Sequence, residues 1–120
     1  MPVYFGMRNW HPFIRETMDT IAADGIERLV AICLAPQYSK MSVGLYFRRA
    51  QEAKTASGAK AEIVWTKSFH AHPLLIEAFA ERLQPLAQPG RKVLFTAHSL
   101  PETPVEHVKA AVQIVREFKL

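Results

Sequence analysis

Four short apolar runs alternate along the chain with four stretches of helical periodicity, and this alternation limits the possible folds more than any other feature. Strands that alternate with helices join most simply as βαβ units, which build a parallel sheet with helices packed against it. The runs are Val3-Tyr4-Phe5, Leu29 to Leu34, Ile63-Val64-Trp65 and Val93-Leu94-Phe95. The second is apolar throughout, the pattern of a strand covered on both faces. After the first run, Pro12 suits the first position of a helix. Phe13, Ile14, Thr17, Met18 and Ile21 share one face of that helix, and Gly25 stops it. A second helix is expected from about Ser42 to Ser57, with Val43, Tyr46, Phe47 and Ala50 on one side and Gly58 closing it. A third opens at Pro73, carries Leu75, Ile76, Phe79 and Leu83, and stops before Pro85. Thr103-Pro104-Val105-Glu106 reads as a capping box opening a fourth helix, striped by Val108, Val112 and Val115. The expectation is one α/β domain over residues 1–120, with a four-stranded parallel sheet and flanking helices.

Composition narrows the function classes. A length of 120 residues suits one ordinary core. The net charge of +4 is modest, and its lysines and arginines are scattered among acids, as in Glu77, Glu81 and Arg82. Nucleic-acid binding ordinarily needs a concentrated basic stripe, so it is not expected. No run approaches the ~18 apolar residues of a membrane span, and Met1-Pro2-Val3-Tyr4 lacks the charged and apolar regions of a signal peptide. Cys33 is the only cysteine, which excludes an intramolecular disulfide and suits a reducing, cytoplasmic setting. Within its apolar run it reads as a small core residue.

Parallel strands share a direction, so their carboxyl-end loops line one edge of the sheet, where open α/β sheets bind ligands. The expected loops are Gly6 to His11, Ala35 to Ser42, Thr66 to His72 and Thr96 to Thr103. Four of the five histidines, His11, His70, His72 and His98, fall in them; His107 belongs to the last helix. His98 follows Val93-Leu94-Phe95 directly, and its imidazole suits a general base, a metal ligand or a loop residue bonded to backbone. His70 and His72 flank Ala71, but no third ligand stands at a fixed spacing, so they read as polar loop residues rather than a closed zinc site. No G-x-G-x-x-G or P-loop pattern is present, and Ala97-His98-Ser99 is not a nucleophile elbow. The same loops hold Met7, Trp10, Tyr38, Met41 and Phe69, with Arg8, Lys40 and Arg48 among or near them. An apolar cleft with a few cations suits a flat aromatic ligand bearing carboxylates. Packing of the loops onto the core accounts equally for Trp10 and Phe69.

Gly6-Met7-Arg8-Asn9-Trp10-His11-Pro12, Asp24-Gly25-Ile26-Glu27-Arg28, Leu34-Ala35-Pro36-Gln37-Tyr38-Ser39 and Thr96-Ala97-His98-Ser99-Leu100-Pro101 together resemble ferrochelatase, in that family's order and approximate spacing. The resemblance implies a chelatase-like fold, one half of a two-domain ferrochelatase, that inserts ferrous iron into a porphyrin of the haem pathway. It aligns His98 with the catalytic histidine, as proton acceptor or metal ligand. It places Arg8, Tyr38 and Ser39 in segments lining the porphyrin cleft, with Asn9 beside them and Met41 as a further wall. Iron and porphyrin are then substrates, and no tightly bound cofactor is expected. Lys40 stands where some animal enzymes have an iron–sulfur cysteine, so no such cluster is expected either.

The chain departs from the family in length, and the second domain, with its catalytic glutamate, has no counterpart in it. Glu102-Thr103-Pro104 also reaches a helix almost at once. These departures suggest a truncated, reconstructed or designed half-chelatase. A homodimer would place two His98 edges face to face. The alternative is a non-catalytic module that binds porphyrin, or only folds and dimerises.

Overall fold

The computed structural model describes residues 1–94 and residue 96. Its elements follow in the order α1 (Ile14–Ala23), β1 (Arg28–Ile32), α2 (Val43–Ser57), β2 (Glu62–Thr66) and α3 (Pro73–Leu83). β1 and β2 are parallel neighbours, registered from Arg28 opposite Glu62 to Ile32 opposite Thr66, and α2 connects them. The centre is therefore one βαβ unit with α1 laid against it.

Periodicity explains the packing. Met18 and Ile21, three apart on α1, are buried with Ala53 of α2 and with Ala59 and Ala61, which lead into β2. Ala50 packs at the margin, so α2 presents small side chains to α1. Leu29 and Ile63, on the inner face of the sheet, close this core. α2 ends as expected at Gly58, whose φ of 69° is a left-handed conformation that a Cβ disfavours. The preceding Ser57 hydroxyl donates to the Lys54 carbonyl at 3.1 Å and accepts the Ala59 N–H at 3.3 Å.

Three expectations are corrected. Among the described residues the sheet has two strands rather than four. Val3-Tyr4-Phe5 is not one of them: the Thr17 hydroxyl donates to the Phe5 carbonyl, and the Tyr4 hydroxyl donates to Asp24 at 2.7 Å. Those bonds tie the segment to α1, and a cavity of about 150 Å³ lies between Tyr4 and Gly6 on one side and Leu29–Cys33 on the other. Val93 and Leu94 carry no strand pairing, and Phe95, like the expected fourth helix, lies outside the described residues. Second, among the described residues the apolar β1 is covered on one face only. Val30 and Ile32 are 60% and 59% exposed, and Val64, opposite Val30, also faces outward. Third, α1 begins at Ile14, two residues after Pro12, because the Glu16 carboxylate accepts the Phe13 N–H at 2.7 Å and fixes the first turn there.

That bond titrates. The Phe13 N–H holds the Glu16 carboxyl below its ordinary value, outweighing an opposing desolvation effect, and the neighbouring His11 ring adds a smaller lowering. A group whose folded-state pKa is depressed stabilises fully above its unfolded pKa and loses that contribution as pH falls through the folded value. The first turn of α1 should therefore be intact at neutral pH and loosen in acid below the usual carboxylate range. The Phe13 amide resonance followed through an acid titration reports this, and Glu16→Gln should flatten its pH dependence. Gly58→Ala should lower stability by about 1–2 kcal/mol, read as a lower urea midpoint at unchanged slope.

Candidate functional site

Because β1 and β2 run parallel in register, the loops after Ile32 and Thr66 leave the sheet at one edge. One carbonyl joins them. Pro36 O accepts the Phe69 N–H at 3.1 Å and the Ser68 hydroxyl at 2.8 Å. The Ser68 oxygen also lies 2.7 Å from Nδ1 of His70. A hydroxyl has one proton, and here it goes to Pro36, so Nδ1 of His70 donates to Ser68 and the ring lone pair is on Nε2. His72 has the opposite arrangement. Its Nδ1 accepts the Leu74 N–H at 3.3 Å, capping α3 just before Pro73. The two histidines thus serve the loop and the helix end separately. No group of three or more His, Cys, Asp or Glu able to hold a metal ion occurs among the described residues.

The loop after β1 carries Tyr38, Ser39 and Met41. Ser39 is buried at 2% exposure; its Oγ accepts the Ser42 N–H at 3.1 Å, and its carbonyl accepts the Gly44 N–H at 3.0 Å. It anchors the loop to the first turn of α2. Tyr38 is half-buried above that turn, and Gly44 makes room for it: a Cβ there would stand 3.2 Å from the phenol oxygen. The Tyr38 ring lies 6.4 Å from Phe47, which lies 4.5 Å from Trp65. This aromatic row runs from loop to helix to strand and gives the loop a rigid backing. Met41 is 55% exposed on the same loop.

The first loop is separately closed. Met7 N–H donates to Pro12 O at 2.8 Å, and Ile14 N–H donates to Met7 O at 3.0 Å. Asn9 and Trp10 project from it, exposed. Arg8 turns back over the Tyr46 ring, 5.2 Å from its centroid, and lines a cavity with Arg15 and Arg49. His11 pairs with Glu16 at 3.2 Å. The structure thus groups Tyr38, Ser39 and Met41 on one loop and holds Arg8 and Asn9 on another; His98 lies outside the described residues.

Sequence reading assigned Phe47 to a helix face and Trp65 to a strand without connecting them to Tyr38. It gave Ser68 no role. Gly44 was the available signal, a poor helix former placed in the first turn of an otherwise regular helix. The Ser68–Pro36 bond joins positions 32 residues apart, and no local pattern encodes it.

Comparison with known proteins accords with this arrangement. The family model described as ferrochelatase matches residues 1–115. A ferrochelatase of Acidobacterium capsulatum is 48% identical over 108 residues, which cover 84% of this chain and 32% of that protein. Ferrochelatases of Thermus thermophilus and Herpetosiphon aurantiacus are 41% and 38% identical, over 87% and 83% of this chain and 34% and 35% of theirs. The chain spans about a third of the length of these curated relatives. No helix among the described residues is long and apolar enough to cross a membrane. With a family model matched along nearly its whole length, the chain belongs to the ferrochelatase family.

Proposed function

We propose that this chain carries part of the machinery that inserts ferrous iron into a porphyrin, with His98 as proton acceptor or metal ligand. The observation that carries the reading is the ferrochelatase match over residues 1–115, which includes Thr96-Ala97-His98-Ser99-Leu100-Pro101. A free-base porphyrin presents two N–H groups and two lone pairs in its plane. Insertion replaces the two protons by the metal dication, so a base must accept protons and the ring must bend to present its nitrogens. A neutral imidazole suits either task. Bending draws on binding energy and needs walls on both faces of the ring.

In this reading Tyr38 and Met41 form one wall, Ser39 fixes their loop, Arg8 pairs with a carboxylate of the ring, and Asn9 lies at the rim. The tilted row of Tyr38, Phe47 and Trp65 packed behind the loop resists displacement when the ring is strained. The opposite wall comes from a second copy, which a two-fold axis would set edge to edge. Light scattering should then give twice the chain mass at working concentration; a monomer that still inserts metal rules out the dimer. The cytoplasm, which keeps Cys33 reduced, is the expected setting.

A second reading is porphyrin binding without insertion. Absorbance titration with free-base porphyrin, then ferrous or zinc ion, separates the two: conversion to metalloporphyrin marks the enzyme, and a spectral shift without conversion marks binding alone. His98→Ala should lower insertion by about 10²-fold or more with an unchanged circular dichroism spectrum. Unchanged turnover would remove His98 from the chemistry. Gly44→Ala should separate stability from function. Alanine favours the helix, but its methyl displaces the Tyr38 phenol. The melting temperature should hold or rise while porphyrin affinity falls; equal affinity would detach Tyr38 from the ring.

A further inference from the structure

We propose that the cavity between the first turn of α1 and the middle of α2 binds a small oxyanion through Arg8, Arg15 and Arg49. Its volume is about 320 Å³, at the low end of ligand pockets. Three guanidinium groups and one carboxylate, that of Glu52, border it. Glu52 is already engaged, accepting from Arg49 Nη1 at 3.0 Å. The remaining positive charge has no counterpart in the lining among the described residues.

Arg8 makes the case specific. The face of its guanidinium rests on Tyr46, which fixes the plane of the group. Its Nη1 is buried and has no hydrogen-bond partner among the described residues. A buried donor left unpaired is unfavourable, and more so when charged. Folding has therefore withdrawn one nitrogen of a half-buried guanidinium from water, beside a cavity whose other cations repel it. An anion with two or more oxygens resolves both problems, since a planar guanidinium matches such an acceptor in a two-bond fork. Arg15 and Arg49 are exposed on separate helices, so each can close on the anion with little cost to the fold. Ala53 and Ala56 of α2 floor the cavity and keep it open. The chemistry called for is a phosphate or a dicarboxylate. Arg8 is common to this cavity and to the porphyrin reading, but Arg15 and Arg49 belong to the cavity alone and the test below uses no porphyrin, so either proposal can fail alone.

The full chain, with arginine Nε–H resonances observed by ¹H–¹⁵N spectroscopy, is titrated with inorganic phosphate, with succinate, and with sodium chloride at matched ionic strength. Saturable displacement of the Arg8, Arg15 and Arg49 resonances is expected with phosphate, and chloride should give only small linear drifts. Saturation by succinate as well extends the ligand to carboxylates; saturation by phosphate alone confines it to phosphates. Arg15→Gln with Arg49→Gln should weaken binding roughly tenfold to a hundredfold, the range for lost charge-assisted bonds. Should the double variant lose its circular dichroism spectrum, Arg15→Gln alone is used, with about a tenfold loss expected. Phosphate shifts no larger than those of chloride, or undiminished affinity in the variants, overturn the proposal.

Discussion

Everything described here hangs on the contact between Met18 and Ile21 of α1 and the alanines Ala53, Ala59 and Ala61. It is the only buried cluster of apolar side chains among the described residues, and it joins elements distant in sequence. Small residues on α2 let α1 approach closely, and that approach brings Arg8, Arg15 and Arg49 around one cavity. The same contact holds α2 against the inner face of the sheet, through Leu29 and Ile63. With α2 in place, its first turn can anchor Ser39 and support Tyr38. A core this small leaves little margin, because truncating a buried Ile to Ala commonly costs about 2–5 kcal/mol and folded domains hold only about 5–15.

The loop edge is rigid for a different reason. The Pro36 carbonyl faces two donors, one from backbone and one from Ser68, and proline's fixed φ keeps that carbonyl in position. The loop after β2 is thereby bonded to the loop after β1. Tilted aromatic contacts then extend the support inward, from Tyr38 through Phe47 to Trp65 on β2. A binding wall needs backing of this kind, since a compliant one would yield to the ligand.

The βαβ centre was legible because its signals are local. Ser57-Gly58 ends α2, Pro73 opens α3, and β2 extends only one residue beyond Ile63 and Trp65 at each end. Pro12 misled because a proline at a helix start and a glutamate at Glu16 compete to set the first turn, and the carboxylate's bond to Phe13 prevailed. Val3-Tyr4-Phe5 misled because strand propensity says nothing about a neighbour to pair with; Thr17 and Asp24 supply side-chain partners instead. The apolar outer face formed by Val30, Ile32 and Val64 belongs to a strand pattern suited to two covered faces, one of which is open among the described residues. In the candidate site, Tyr38, Ser39 and Met41 were readable from sequence as neighbours on a loop. The cation cavity was not, since Arg8, Arg15 and Arg49 meet only after α1 packs on α2.

Histidine chemistry at this edge shows why placement outranks residue type. His11, His70 and His72 are all the histidines among the described residues, and each has Nδ1 engaged by a neighbour. His11 is exposed and its Nδ1 is taken up by the Glu16 carboxylate at 3.2 Å. His72 uses its lone pair to cap α3, so protonating Nδ1 would break a bond that the helix needs. His70 donates to Ser68, whose own proton fastens the two loops, and its ring is thereby held in one tautomer. All three side chains are tied to local structure before any ligand arrives. A proton acceptor for a porphyrin nitrogen needs a ring whose lone pair is directed at the ligand and whose protonation leaves the scaffold intact. His11 and His72 do not meet that requirement, and His70 meets it only if its Nε2 rather than its bonded Nδ1 faces the ring. The ferrochelatase match spans the Thr96-Ala97-His98-Ser99-Leu100-Pro101 motif, and the role proposed for His98 rests on that resemblance.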